Sequence, residues 1–158
     1  NFPGYVMPET ETDELIVTPV STTATADFCA SMAMAYEYYQ KVDKDFAEKC
    51  LNAAKNAWDI PSKKNPNFIF SNPSDITTGD YGDTSDIDER YWAAAQMWRA
   101  TGEDTYRTAL ESMRVQNGMD WMEVGDYGNI AILTMDGVDT NSDLYTRAKT
   151  SILKEPTK

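Results

Sequence analysis

Five acids fall within ten residues: Asp80, Asp83, Asp86, Asp88 and Glu89. The run continues directly into Arg90-Tyr91-Trp92-Ala93-Ala94-Ala95, an aromatic and alanine-rich stretch. Carboxylates at this density suit two kinds of chemistry. The first is a hard-cation site. Ca²⁺ takes about six to eight oxygens, from carboxylates and loop carbonyls together. A loop reaching its helix at Thr84-Ser85, followed by Asp88 and Glu89, offers both kinds. The second is helix capping. Ser85-Asp86-Ile87-Asp88 fits a Ser-x-x-acid box, and acids in a first turn suit the positive end of a helix dipole. The two readings are compatible. Asp83 reads as a solvated acid. Tyr81 reads either as a wall of a cleft or as a buried loop anchor.

Composition narrows the rest. The 158 residues contain no His. This excludes Ser-His-Asp and Cys-His nucleophiles, and His-ligated zinc, within these residues. A net charge of -12 and a pI near 4.3 repel phosphate backbones and anionic lipid. Nucleic acid and membrane surfaces are therefore poor partners, whereas cations and neutral ligands remain open. No apolar run approaches the ~18 residues that a bilayer span needs. The first residues, Asn1-Phe2-Pro3-Gly4, lack an initiator Met and a basic leader, and read as a processed or excised end. Cys29 and Cys50 read as buried free thiols, with a disulfide left open.

The acids must be positioned by helices. Residues 1–21 carry Pro3, Pro8 and Pro19, and read as an extended arm. Phe28, Met32, Ala35, Tyr36 and Tyr39 recur at helical spacing over about 22–40. Asp43 caps a second helix with Phe46, Cys50, Leu51, Ala54 and Trp58 inward, stopped at Pro61. The short connection makes residues 22–58 a helical hairpin. Residues 59–85 form a long loop rich in Pro, Gly, Asn, Ser and Asp, of a length that is functional when ordered. Residues 86–115 make a second hairpin. Its helix of about 86–100 buries Tyr91, Ala94, Ala95 and Trp98, and its helix of about 103–115 buries Tyr106, Leu110 and Met113. Trp92 projects the other way, toward a neighbouring helix. Residues 119–158 hold further helices at about 127–135 and 141–154. Phe46 and Tyr106 occupy equivalent positions in the two hairpins, which suggests a repeated unit. About two and a half such units are present, so the chain reads as a piece of a larger all-α fold.

Three segments carry a family resemblance. Pro19-Val20-Ser21-Thr22-Thr23-Ala24-Thr25-Ala26-Asp27-Phe28 resembles a motif of glycoside hydrolase family 9, the inverting cellulases. So does Asp88-Glu89-Arg90-Tyr91-Trp92-Ala93-Ala94-Ala95, followed by Arg99-Ala100-Thr101-Gly102. Phe2-Pro3-Gly4 and Met7-Pro8-Glu9 resemble the strip just upstream. The resemblance implies an (α/α)6 barrel of helical hairpins, incomplete in this chain. It implies hydrolysis of β-1,4-glucan with inversion by two carboxyl groups roughly 6.5–9.5 Å apart. It also implies secretion, because insoluble cellulose lies outside cells.

The family's catalytic base lies in an Asp-Ala-Gly-Asp type motif that this sequence lacks, and its general acid lies beyond the matched region. The resemblance therefore assigns no catalytic residue here. The partners it implies are the glucan and the remaining parts of the catalytic domain, and it implies that the chain alone is inactive. It places structural Ca²⁺ at Thr84, Ser85, Asp88 and Glu89, with a further carboxylate from Asp126 or Glu123. Tyr81 and Trp121 are the candidate substrate contacts, although Trp121 reads first as a core residue and only second as part of a cleft. The alternative function is a non-catalytic carbohydrate-binding or helical interaction module on the same scaffold. A second acidic turn, Asp136 to Asp143, lacks the EF-hand spacing and reads as a loop in which Asn141 or Ser142 caps the last helix.

Overall fold

A computed structural model describes residues 5–12, 19–63, 69, 71–75 and 82–154, the side chains of 60–63 excepted. Among the described residues there are six α-helices and no strand. They are α1 (Thr22–Tyr39), α2 (Lys44–Lys63), α3 (Ile87–Thr101), α4 (Asp104–Ser112), α5 (Gly125–Leu133) and α6 (Asp143–Lys154). In the N-terminal arm, Pro8–Thr10 forms a single 3-10 turn between extended residues, with Tyr5, Val6 and Met7 exposed. No described helix is long and apolar enough to cross a membrane.

Local chemistry sets the helix ends. Ser21 caps α1 by accepting the Ala24 N–H at 3.2 Å, while the Thr25 hydroxyl donates to the Ser21 carbonyl at 2.6 Å. Asp43 accepts the Phe46 N–H at 3.0 Å, as expected of the cap of α2. Gly102 ends α3 with a φ of 70°, the left-handed conformation that side chains resist. Ser142 accepts the Tyr145 N–H at 3.2 Å and caps α6.

Two boundaries differ from the sequence expectation. Helix α2 continues past Pro61 to Lys63. Proline's fixed φ is helical, so in a last turn it forfeits one hydrogen bond without ending the helix. Helix α4 stops at Ser112, and Met113 turns extended with ψ 154°. The segment that follows serves other elements: the Met113 carbonyl accepts from Arg147 at 3.3 Å and the Gln116 carbonyl from Asn129 at 2.8 Å.

The helices form three hairpins, α1–α2, α3–α4 and α5–α6. Helix α3 packs between α1 and α5, so these three make one row, with α2, α4 and α6 each behind its own partner. This is part of an (α/α)6 arrangement. Every second helix runs the same way, so the N-terminal ends of α1, α3 and α5 share one end of the row.

The row is tight because its seams are small. Ala26, Ala30 and Ala33 of α1 and Ala93 of α3 are fully buried in one cluster, with Ala54 of α2 behind them. Ala94 and Ala95 join Tyr91, Leu110, Ala131, Ile132, Leu144 and Ala148 in a second. Trp58 and Trp98 pack against both. Trp58 also meets Tyr106 edge-on, with ring centroids 5.1 Å apart.

The core therefore differs from the expected stripes. Phe28 is 48% and Phe46 43% exposed, and the buried faces of α1 and α2 are alanine and cysteine instead. Helices touched on two sides can approach only through small residues, which pushes the large side chains of α1 outward. Cys29 and Cys50 are buried and free, and the Cys29 thiol donates to the Ala54 carbonyl at 3.3 Å.

Polar bonds pin the row along its length. Tyr91 donates to Asn129 at 2.7 Å in the interior. Toward the C-terminal ends, Glu37 of α1 accepts from Gln96 at 2.5 Å and from Arg99 at 2.9 Å, and Arg99 also reaches Thr134 after α5. Trp92 meets Tyr127 of α5 at 5.0 Å, the neighbouring-helix contact expected of it.

The α3–α5 seam is tightest at Gly128. A Cβ there would stand 2.7 Å from Tyr91 Cδ1 and 3.2 Å from the Trp92 Cα. Gly128→Ala is expected to destabilise the protein by about 1–3 kcal/mol despite alanine's better helix propensity. A denaturant melt at unchanged midpoint would show that the seam can open at no cost.

Candidate functional site

The shared end of the row opens into a cavity of about 490 Å³. Its walls are the start of α1 (Pro19 to Phe28), Asp83 and Glu89 at the start of α3, and Trp121-Met122 just before α5. No Lys or Arg is among the described residues that line it.

Asp83 is tied down rather than simply solvated. Its Oδ1 accepts the backbone N–H of Thr84 at 2.5 Å and of Ser85 at 3.1 Å, which fixes the turn into α3. Ser85 Oγ accepts the Ile87 N–H at 3.3 Å. The expected reciprocal box between Ser85 and Asp88 does not form. Asp88 instead accepts the Val124 N–H at 2.8 Å, satisfying a donor ahead of α5. A carboxylate one helix away wins because a half-buried N–H with no acceptor costs more than an exposed helix end left to water. Asp86 is 1% exposed, and Arg90 donates to its Oδ2 at 2.7 Å.

Glu89 is the unusual group. It is 3% exposed, and its Oε2 has no hydrogen-bond partner. Burial pushes its carboxyl up to about 9, and the charges of Asp88, Asp27 and Asp83 push the same way. Asp27 of α1 behaves similarly: its Oδ1 is buried without a partner. Burial, then Asp88 and Asp83, raises that carboxyl to about 6. Two buried acids on the cavity, Asp27 and Glu89, thus both feel the charges of Asp88 and Asp83, and the helix starts beside them carry the compensating partial positive charge.

The other candidates are placed as follows. Asp126 is buried at the start of α5. Its Oδ2 accepts the Gly118 N–H at 3.2 Å and its Oδ1 accepts from Asn129 at 2.8 Å. Glu123 is exposed, against Gly118. Neither lines the cavity that Glu89 lines. Thr84 is exposed and Ser85 half-buried beside Asp83. Trp121 is 68% exposed on the cavity wall, not in the core. Tyr81 lies outside the described residues. Among the described residues no three acidic or thiol side chains converge closely enough to hold a metal by themselves. Sequence reasoning missed Asp27. It stands in the Ser-Thr-rich motif that opens α1, but its neighbour across the cavity is 62 positions away, and only the packing of α1 on α3 joins them.

Comparison with known proteins agrees with this architecture. The family model of glycosyl hydrolase family 9 matches residues 5–155, and the chain belongs to that family. It is similar to Endoglucanase D of Acetivibrio thermocellus, 40% identical over 97% of this chain and 25% of that protein. A cellodextrinase of Butyrivibrio fibrisolvens is 28% identical over 84% of this chain and 28% of its own length. Among solved structures, AaCel9A in complex with cellobiose-like isofagomine superimposes with a TM-score of 0.85 at 30% identity. That match covers 95% of this chain and 29% of that one. A metagenome-derived family 9 endoglucanase gives a TM-score of 0.82 at 29% identity. The chain spans about a quarter of the length of these relatives.

The Asp88–Val124 bond joins the starts of α3 and α5. In chelator, Asp88→Ala is expected to cost about 1–3 kcal/mol by stranding the Val124 N–H. Asp88→Asn, which keeps an acceptor, is expected to recover most of that loss. Equal melting temperatures for the alanine variant and the parent would sink this role.

Proposed function

We propose that this chain forms part of a catalytic domain that hydrolyses β-1,4-glucosidic bonds with inversion. Its similarity to Endoglucanase D over nearly the whole chain supports the substrate class. The observation that carries the reading is the cavity at the shared helix ends. Exposed aromatic faces, Trp121 and Phe28, stand there beside carboxylates, the pairing that holds a sugar by its C–H face and its hydroxyls. Residues from other segments of the domain supply the acid that protonates the leaving oxygen and the base that activates water. The residues described here build one side of the toroid and one wall of the cleft. The reading puts the protein outside the cell, where polymeric glucan is met.

A structural Ca²⁺ at the start of α3 belongs to the same reading. The orphaned, buried Glu89 Oε2 is the observation that fits it, since a buried acid oxygen with no donor is satisfied by a hard cation. Asp88 and Glu89 would hold the ion with oxygens of Thr84 and Ser85, the balance of its shell coming from other oxygen donors. Bound there, it would supply positive charge at a helix start. Asp83 holds the Thr84-Ser85 turn in place through its two backbone bonds, and the Asp88–Val124 bond fixes the spacing to α5.

Two outcomes test these readings. A complete domain containing these residues is expected to release α-configured reducing ends from β-1,4-glucan, followed by proton NMR. Residues 1–158 alone are expected to release no reducing sugar above buffer. Retention of configuration in the first experiment, or turnover in the second, would overturn the assignment. For the cation, Ca²⁺ at about 100 times its dissociation constant is expected to raise Tm on the order of 5–10 °C over chelator. An unchanged melt at millimolar Ca²⁺ would remove the ion from the account.

A further inference from the structure

One face of the row carries apolar side chains that no described element covers. Met34 and Tyr38 of α1, Trp92 and Gln96 of α3, and Tyr127 and Ile130 of α5 line a groove of about 430 Å³. Every described residue on its walls belongs to α1, α3 or α5, or is Thr134, which ends α5. None comes from α2, α4 or α6, so the groove opens on the side of the row away from the outer helices. It lies on the same face as the cavity. On α3, Glu89 of the cavity and Trp92, Gln96 and Arg99 of the groove recur at i, i+3, i+7 and i+10, one stripe of a helix. Asp27 of the cavity keeps similar spacing with Met34 and Tyr38 on α1. Met34, Tyr38, Tyr127 and Ile130 are exposed, Tyr38 by 70%. Contiguous apolar surface on a folded chain marks a contact surface. Glu37 and Arg99, the only charged residues among the described residues lining the groove, pair with each other at 2.9 Å. The groove thus presents no net charge although the sequence carries -12, and its complement is apolar rather than basic.

We propose that this groove receives apolar side chains from the row helices of the three further hairpins that complete the (α/α)6 toroid, in the part of the domain outside residues 1–158. The proposal rests on the reading of these residues as part of a larger catalytic domain. Three hairpins are described here, and the chain spans about a quarter of the length of its relatives. In a closed ring whose outer helices take one face of the row, the other face looks across the ring at the remaining row helices. A second copy of the chain fits less well, because it would bring its own net charge of -12 to the contact. The Glu37–Arg99 pair neutralises itself, so covering it does not strand a lone charge. Because groove and cavity share one stripe, filling the groove closes the inner end of the cavity, and the cleft is complete only when the ring is.

The test is thiol labelling with a soluble maleimide at single introduced cysteines. Met34→Cys and Ile130→Cys lie on the groove, and Val42→Cys, 71% exposed at the turn between α1 and α2, is the control. The native Cys29 and Cys50 are buried and are expected to stay silent. Each variant is made in a complete domain containing these residues and in residues 1–158 alone. In the complete domain the two groove positions are expected to react about tenfold more slowly than Val42→Cys, or slower still, because the ring must open locally to expose them. In residues 1–158 they are expected to react about as fast as the control. Equal rates in the complete domain would overturn the proposal. Protection in residues 1–158, whether constant or growing with protein concentration, would assign the cover to this chain itself or to a second copy, and would overturn it too. Release of α-configured reducing ends by the same complete domain tests the functional reading separately. A reactive groove in an active domain would sink the docking alone, and a protected groove in an inactive domain would sink the catalytic reading alone.

Discussion

Close approach of three helices through small residues is the constraint from which the rest of the structure follows. Ala26, Ala30, Ala33, Ala93, Ala94, Ala95, Gly128 and Ala131 leave no bulk along the contacts of α1, α3 and α5. Alanine gives each contact little apolar area, so the seams are stabilised by proximity and by the large residues that flank them. Trp58 and Trp98 fill the space toward the outer helices. Tyr91 reaches across to Asn129, where its hydroxyl has a partner. A larger side chain in a seam would separate the row and misalign both of its ends.

Alignment of the ends is what creates the site. Because each row helix is followed by an outer helix that runs back, the row helices are parallel and their N-termini coincide. The opening turns of α1 and α3 then bring Asp27 and Glu89, and the loops ahead of α3 and α5 bring Asp83 and Trp121, to one cavity. The helix starts supply partial positive charge where the acids gather. That compensation is incomplete, as the raised carboxyls of Glu89 and Asp27 attest. The opposite ends are organised differently, by the paired charges of Glu37 and Arg99, 2.9 Å apart. One end of the row is electrostatically satisfied and the other is electrostatically strained, and the strained end is the one that opens to a cleft.

Much of the architecture was legible in the residue pattern. The Asp43 and Ser142 caps, the Gly102 stop and the short hairpin turns are local chemistry, and each stands where the sequence puts it. The capping box at Ser85 and Asp88 did not survive, since Val124 offered Asp88 a better use from outside the local window. The large residues of α1 misled for a related reason. Periodicity finds an apolar face, but in a row helix the face that packs is the small one, and Phe28 is left to the cavity.

The sequence by itself determined which segments are helical, where most of them start and stop, and which family the motifs resemble. Those properties are set by residues within a few positions of one another, so neighbouring identities suffice. Only the tertiary structure decided that Asp27 and Glu89 share a cavity, that Trp121 lies on its wall, and that Asp126 is occupied with Gly118 and Asn129. Those facts depend on how closely α1, α3 and α5 approach. That distance is fixed by the volumes of side chains meeting across the seams, not by any one stretch of chain.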